Sequence, residues 1–283
     1  MITIIYHNDA DGWCSAAIIL HHLNANRVKT AINMIEANYK DPVPFDSIPK
    51  DSTVYILDYS FSVEDMNKIL DKTKDITWID HHPRSLELIN KYPVRINSVL
   101  DSSKAACELT WEYIFPDIAK PKAVELIGDR DAWIWKYGND TALFHAGLMS
   151  KNCTPTSNIW TDLLHDINGA VYDIQLRGTI ITDFQQKLAE FCRKQFGYEA
   201  TINNIDCYCI NAEIGLGAEI FGDLIVKYPI CALLNWDGKQ WKVTLFSTSV
   251  NVREVAENHG GGGHDKAAGF ICKDLPFTYI GKG

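Results

Sequence analysis

The stretch Ile2-Thr-Ile-Ile-Tyr-His-Asn-Asp-Ala-Asp-Gly-Trp-Cys-Ser-Ala-Ala-Ile-Ile-Leu-His-His-Leu23 decides how the rest of the chain is read. Ile2 to Tyr6 is a short apolar run rich in β-branched residues, the pattern of a buried strand. Gly12 lets the backbone turn sharply, and Trp13 to Leu23 carries the small and apolar residues of a buried helix. The same order then recurs. Thr53-Val-Tyr-Ile-Leu57 reads as a strand, Val63 to Leu70 as a helix, and Ile76-Thr-Trp-Ile79 as a third strand. Short apolar strands separated by helices argue for a parallel α/β sheet. Helical patterns follow from Ala105 to Phe115 and from Lys122 to Ile127. A long helix is expected from about Asn168 to Phe196, with Gly178 weakening it. Beyond Gly197 the character changes. Asp206 to Asn211, Ile230 to Trp236 and Trp241 to Phe246 read as strands, with Asp237-Gly238 as a hairpin signal, and Val252 to Asn258 as a short helix. The expected class is α/β: a parallel-sheet domain over 1–165, a helical linker over 166–197 and a smaller α+β domain over 198–283.

Composition narrows the function classes. Hydrophobic residues are 46% of the 283 and charged residues 22%, which excludes a disordered tail, a collagen-like repeat and a coiled coil. No apolar run approaches the roughly 20 residues of a membrane span, so no membrane partner is expected. Ile2 to Tyr6 is too short for a signal peptide. The eight cysteines include no Cys-x-x-Cys pair and read as reduced thiols of a cytoplasmic protein. Twenty-seven basic against 36 acidic residues leave a net charge of −9, so long nucleic acid is not an expected partner. A small anionic substrate fits if metal ions supply local positive charge.

Each predicted N-terminal strand leads into aspartate. The first runs into His7-Asn8-Asp9-Ala10-Asp11-Gly12, the second ends at Asp58, and the third at Asp80-His81-His82. In an open parallel sheet the carboxyl ends of the strands share one edge, where ligands bind. Carboxylates gathered there without counter-charge would be costly. Divalent cations resolve the conflict, and a mixed carboxylate and imidazole set suits Mn²⁺, Fe²⁺, Co²⁺ or Zn²⁺. One strand-terminal aspartate is more often a helix N-cap. Three in succession, the last followed by two histidines, favour the metal reading. Asp129 and Asp131, in Gly128-Asp-Arg-Asp-Ala-Trp133, are two further candidates to complete the cluster. A second signal is Gly260-Gly-Gly-Gly-His264, whose backbone N–H groups could cradle an anion as a nest does, with His264 adding a hydrogen bond or a charge.

Asp80-His81-His82 resembles the signature of the DHH phosphoesterases. His7-x-Asp9-x-Asp11-Gly12, Asp58 and Gly128-Asp-Arg-Asp131 are similar to that family's other N-terminal motifs in order and spacing. Gly260-Gly-Gly-Gly-His-Asp-Lys-Ala-Ala-Gly-Phe270 resembles the hallmark of the DHH-associated C-terminal domain. The resemblance spans nearly the whole chain. Asp131-Ala-Trp-Ile-Trp135 is also similar to the small oligoribonuclease and cyclic-nucleotide phosphodiesterase branch.

The resemblance implies a two-domain enzyme with a cleft between the domains and two divalent ions, usually Mn²⁺, on the N-terminal side. By motif, Asp9, Asp11, Asp58 and His81 are the implied ligands, with Asp58 bridging, and His7 is a further candidate. Asp129 fits the spacing of pyrophosphatase-like members, whereas Asp131 fits the Asp-x-Trp pattern of the closer branch. His82 is implied to face the substrate phosphate, and Gly261, Gly262, Gly263 and His264 to hold the substrate's far end. The chain departs from the pattern twice. Ile5 stands where many relatives carry histidine. Thr244-Leu245-Phe246-Ser247 stands where relatives often carry Ser-Leu-Arg-Ser, so Phe246 replaces an expected substrate-binding arginine, and Arg253 is a candidate stand-in.

The implied activity is a two-metal phosphodiesterase that hydrolyses short oligonucleotides or small, even cyclic, nucleotides to mononucleotides. Rivals are a phosphatase acting on pyrophosphate, polyphosphate or 3′-phosphoadenosine 5′-phosphate, a single-strand exonuclease, and a non-catalytic nucleotide-binding homologue. His21, His22, His145, His165 and His259 have no motif context, with His145, which follows the Asp131 segment, the one of them best placed to line the cleft, and Trp133 and Trp135 are candidates for contact with a base.

Overall fold

The structure, a computed structural model, describes residues 1–39, 41–92, 95–212 and 214–281. The chain divides into two compact units, Met1–Ile181 and Thr182–Gly283. The division falls inside the segment expected as a helical linker.

In the first unit, β1 (Ile2–His7), β2 (Ile32–Ala37), β3 (Thr53–Leu57), β4 (Ile76–Asp80) and β5 (Asn97–Leu100) form an all-parallel sheet in the order β2-β1-β3-β4-β5. Helices α1 (Ala10–Ala25), α2 (Val63–Leu70) and α3 (Pro83–Leu88) lie in the crossovers, and α4 (Ala106–Ile114) follows β5. Alternation along the strands feeds two cores. Ile5, Val54, Ile56 and Trp78 pack with Met66 and Ile69 of α2 on one face. Ile4, Tyr6, Leu57 and Ile79 pack with Ala16 and Ile19 of α1 on the other. Each such buried aliphatic side chain contributes about 1.5–3 kcal/mol.

Sequence periodicity predicts three of these five strands. The two it misses, β2 and β5, are the sheet's edges, partly exposed and broken by Asn33, Glu36, Asn97 and Ser98. The strand order reverses at β1, because β2 lies on one side of it and β3 on the other. The carboxyl ends of β1 and β3 therefore open the crevice that an open α/β sheet uses for ligands.

Four more helices follow: α5 (Lys122–Asp131), α6 (Asn139–Met149), α7 (Ile159–His165) and α8 (Ala170–Phe196). Trp111, Val124, Ile127, Phe144, Leu148, Trp160 and Leu163 form their shared core. Gly178 does not weaken α8. It lets α8 lie against α6, since a Cβ there would sit 1.8 Å from the Leu143 carbonyl oxygen, and one at Gly147 would sit 1.9 Å from that of Ile174. Gly178→Ala is therefore expected to destabilise the protein by at least about 2 kcal/mol, because two backbones must separate. Urea denaturation measures this, and an unchanged midpoint would show that the crossing tolerates a wider spacing.

The second unit holds β6 (Gly197–Ile202), β7 (Ile205–Asn211), β8 (Ile230–Trp236), β9 (Trp241–Phe246), β10 (Gly262–His264), β11 (Ala267–Cys272) and β12 (Thr278–Gly281), with helices α9 (Leu224–Lys227) and α10 (Val252–Glu257). They form one mixed sheet in the order β10-β11-β9-β8-β7-β6-β12, in which β7 and β8 pair in parallel. The molecule is thus a parallel α/β unit followed by a smaller α+β unit. All eight cysteines are free thiols. Among the described residues no helix is long and apolar enough to cross a membrane.

Candidate metal centre

The strand ends deliver their acidic residues to one place, and local structure fixes each. Asp9 caps α1: its Oδ1 accepts the Gly12 N–H at 3.0 Å, while its Oδ2 lies 2.7 Å from His7 Nδ1. A Cβ at residue 12 would come within 2.2 Å of the His7 carbonyl oxygen, so this position needs glycine for the helix to start against the strand end. Asp11, 1% exposed, accepts the N–H groups of Ala106 at 2.8 Å and Cys107 at 2.7 Å. Those are among the donors that the start of α4 leaves without helical partners. Asp58 is also 1% exposed and has a φ of 55°, a left-handed conformation uncommon for a residue with a side chain. Its Oδ1 lies 3.3 Å from His81 Nε2 and its Oδ2 lies 3.6 Å from His7 Nδ1. His81 Nε2 is 3.2 Å from Asp131 Oδ2 and 3.9 Å from Asp11 Oδ2.

The electrostatics show what the cluster lacks. Burial pushes the Asp11 carboxyl up to about 7, and the Asp58 charge adds to this. Burial and then the Asp11 charge push Asp131 up to about 7 as well. Burial also raises Asp58. The imidazoles respond in kind. Asp58 and Asp9 hold His7 up to about 10. Burial works against protonation of His81, but Asp58, Asp11 and Asp131 outweigh it and hold the ring up to about 9. Both Asp58 oxygens and His7 Nδ1 are buried without a hydrogen-bond partner among the described residues. The close approach of His7 to Asp9 is therefore not aligned as a hydrogen bond. Buried carboxylates with no donors call for cations.

Three overlapping groups of donor atoms are ready to take them: His7, Asp9 and Asp58; Asp11, His81 and Asp131; and Asp58, His81 and His82. Within each, the ligand atoms lie within 4.8 Å of one another. Asp58 turns one oxygen toward His81 and the other toward His7. The donor set is carboxylate and imidazole, which fits divalent transition cations.

His81 and His82 are set by Asp80, which is fully buried. Its Oδ1 accepts the N–H groups of His81 at 2.8 Å and His82 at 3.2 Å and lies 2.7 Å from His82 Nδ1. Its Oδ2 accepts the hydroxyls of Ser60 and Ser85. His82 is thus oriented through Nδ1, which leaves Nε2 as its free ring nitrogen. The Asp80 hydrogen bond, opposed by burial, holds the His82 ring above its usual range.

Asp129 and Asp131 are two residues apart in the last turns of α5, and such positions do not share a helix face. Asp131 joins His81. Asp129, 4% exposed, accepts the Lys136 N–H at 2.6 Å, the Tyr137 N–H at 3.2 Å and the Thr141 hydroxyl. The expectation that Asp129 could serve as a ligand meets this geometry poorly, since its oxygens already fix the turn between α5 and α6. His145 carries no motif, yet it lines a cavity of about 210 Å³ with Asp9, Ala10, Ile127, Arg130 and Asp131.

In the second unit the glycine run is not an open nest. Gly260, at φ 77°, ends α10: its N–H donates to Glu257 O at 3.0 Å, and that of Gly261 donates to Ala256 O at 2.9 Å. This is a left-handed glycine C-cap with both N–H groups committed. Gly262, Gly263 and His264 form the edge strand β10, paired with β11. His264 is exposed. Arg253 is held by Asp265 at 2.5 Å, which leaves it poorly placed to replace the missing arginine. Phe246 packs near Phe221, with ring centres 6.1 Å apart.

Residues 1–129 match the DHH family, N-terminal domain. Over those residues the chain is similar to the DHH phosphoesterases. Among curated proteins, the bifunctional oligoribonuclease and PAP phosphatase NrnA of Mycoplasma genitalium is 23% identical, over 95% of this chain and 88% of that one. Among solved structures, the pGpG-specific phosphodiesterase PggH of Vibrio cholerae is similar at a TM-score of 0.59 and 15% identity, covering 96% of this chain and 94% of that one. An exonuclease RecJ bound to manganese is similar at a TM-score of 0.52 and 14% identity, covering 96% and 86%. Both structural likenesses are likenesses of fold.

Within the DHH triplet, sequence reasoning singles out the two histidines and gives Asp80 no role of its own, although the structure makes it the residue that positions both. The sequence signal was its place between a strand and two potential ligands. His145 had only the weaker signal of following the Asp131 segment, and the packing of α6 on α5 brings it to the cavity.

Proposed function

We propose that this chain is a divalent-metal phosphodiesterase of the cytoplasm that hydrolyses short oligonucleotides or small nucleotides to mononucleotides. The observation that carries the reading is Asp58: a buried carboxylate with no hydrogen-bond donor, turning one oxygen toward His81 and the other toward His7. Two divalent cations held there, Mn²⁺ foremost, would lower the pKa of water and offset charge on the phosphoryl group. His7 and Asp9 hold one position, Asp11, His81 and Asp131 the other, and Asp58 serves both.

His82 is the residue that meets the phosphate. Asp80 fixes its ring and favours the protonated form, whose Nε2 N–H would donate to a non-bridging oxygen. The acidic balance of −9 supports a small substrate over a long strand. The NrnA relative joins two activities in one name, so 3′-phosphoadenosine 5′-phosphate is the second substrate to assay.

Purified protein should release AMP from pApA in Mn²⁺, fall to background after EDTA, and recover when Mn²⁺ is returned. Cyclic dinucleotides and longer oligonucleotides set the length limit. Failure of freshly Mn²⁺-loaded protein to hydrolyse any of these phosphoesters would overturn the reading.

A further inference from the structure

We infer that Arg130, backed by Trp133 and Trp135 and joined by His145, forms a subsite for a second phosphate one linkage from the scissile one, with Trp133 offering its ring to the adjoining base. The inference deepens the phosphodiesterase reading and rests on it.

Three observations converge. The first is the cavity of about 210 Å³, whose wall combines Asp9 and Asp131 of the metal centre with Arg130 and His145. A group bound there touches the centre and the cationic side chain together. The second is Arg130 itself. Its guanidinium lies 4.3 Å from the Trp133 ring centre and 5.2 Å from that of Trp135. The two indoles hold the guanidinium in place, and its forked N–H donors are of the kind that grips a phosphate with two parallel hydrogen bonds. Among the described residues Arg130 makes no ion pair, although Asp131 is its neighbour in sequence and Asp9 shares its cavity.

The third is backbone conformation. Trp133 and Trp135 have φ of 55° and 58°, a region bulky residues rarely enter. The turn is imposed by Asp129. Its carbonyl oxygen accepts the Ile134 N–H at 3.0 Å and the Trp135 N–H at 3.4 Å, and its carboxylate takes those of Lys136 and Tyr137. The outcome is an indole, Trp133, left 64% exposed beside the site and perpendicular to Trp135, with ring centres 5.1 Å apart. Such an exposed ring face stacks on a nucleobase of any identity. A strained, over-determined turn that displays an aromatic ring and an unpaired cation next to a reaction centre is the arrangement expected of a ligand clamp.

The test compares kcat/KM in Mn²⁺ for pApA and for ApA, which lacks the terminal phosphate. Wild-type protein should favour pApA by about tenfold or more, the value of one charged hydrogen-bonded contact. Arg130→Ala and Arg130→Gln should erase that preference, mainly through the KM for pApA. Arg130→Lys, which keeps the charge and loses the fork, should keep part of it and answers the question if the shorter side chains disturb folding. Equal use of pApA and ApA by the wild type, or an undiminished preference in Arg130→Ala, would overturn the inference. Should wild-type protein cleave neither dinucleotide, the fault lies with the phosphodiesterase reading. The subsite is then read by calorimetric binding of AMP against adenosine to Mn²⁺-loaded protein: a preference for AMP that Arg130→Ala removes supports it, and equal binding sinks it.

Discussion

Replacing Asp58 by asparagine is expected to lower phosphoesterase turnover by roughly 10³-fold or more and, in metal-free protein, to raise the melting temperature. Both effects come from one property. Asp58 is buried, accepts no hydrogen bond among the described residues, and aims its two oxygens at His81 and His7, 3.3 and 3.6 Å away. An amide keeps the shape but supplies only one oxygen and no charge, so the two donor groups lose their shared member. The stability effect has the opposite sign. Burial raises the folded-state pKa of Asp58 above its ordinary value, even with both histidines opposing the shift. A raised carboxyl pKa means a stabilising contribution complete below about 3.8 and lost as pH rises through the folded value. At neutral pH the metal-free wild type bears that loss and the asparagine variant does not. A gain of about 2–4 °C is expected for each kcal/mol relieved. Unchanged Mn²⁺ stoichiometry together with unchanged turnover in Asp58→Asn would remove Asp58 from the shared position.

Cation uptake is expected to expel protons, and more of them as the solution becomes more acidic. Asp11 and Asp131 titrate near 7, so both are largely protonated below that pH and must lose their protons to bind a cation. His7 near 10 and His81 near 9 hold protons through neutrality and must lose them too. At pH 8 the two histidines dominate, for a release of about two protons. Near pH 5.5 the two carboxyls join them, for a release of about four. Apparent Mn²⁺ affinity should therefore climb steeply from pH 5.5 to 8.5. Linkage gives the companion result for metal-free protein. The two carboxyls lose their stabilising contribution as pH rises through about 7, and the two histidines lose theirs as it rises through about 9 to 10, so the melting temperature should fall along that path. Bound Mn²⁺ should flatten the fall. Calorimetry in buffers of different ionisation enthalpy counts the protons, and a release that is constant across this range would contradict the assigned groups.

Much of the site was legible because its parts are tied to local patterns. An apolar run that ends in aspartate marks both a strand and its carboxyl edge, which is why Asp9, Asp11, Asp58 and His81 stand out in the sequence as candidates, and the fold gathers their side chains in one place. Asp9 is an N-cap through one oxygen, and its other oxygen faces His7 in the acidic cluster, so the cap does not exclude a role in the site. The choice between Asp129 and Asp131 was not legible. Two residues apart, they point to different sides of α5, and the rotation of that helix is set by what Val124 and Ile127 pack against. His145 carried only its place after the Asp131 segment, and the packing of α6 on α5 supplied the rest. The glycine run misled for another reason: the identity of a glycine does not say whether it frees a backbone for an anion or ends a helix and starts an edge strand, as Gly260 to Gly263 do.

A parallel α/β chain with acidic strand ends and a second, more strand-rich segment is written in the order of residues, because alternation and strand-to-helix punctuation are properties of neighbours. Long-range packing alone sets the reversal of the sheet's order at β1, the position of Asp58 between His7 and His81, and the wall that Arg130 and His145 share with Asp131. These depend on strand order and helix rotation. Both arise from side chains far apart in the chain burying apolar surface together, and no local pattern records them.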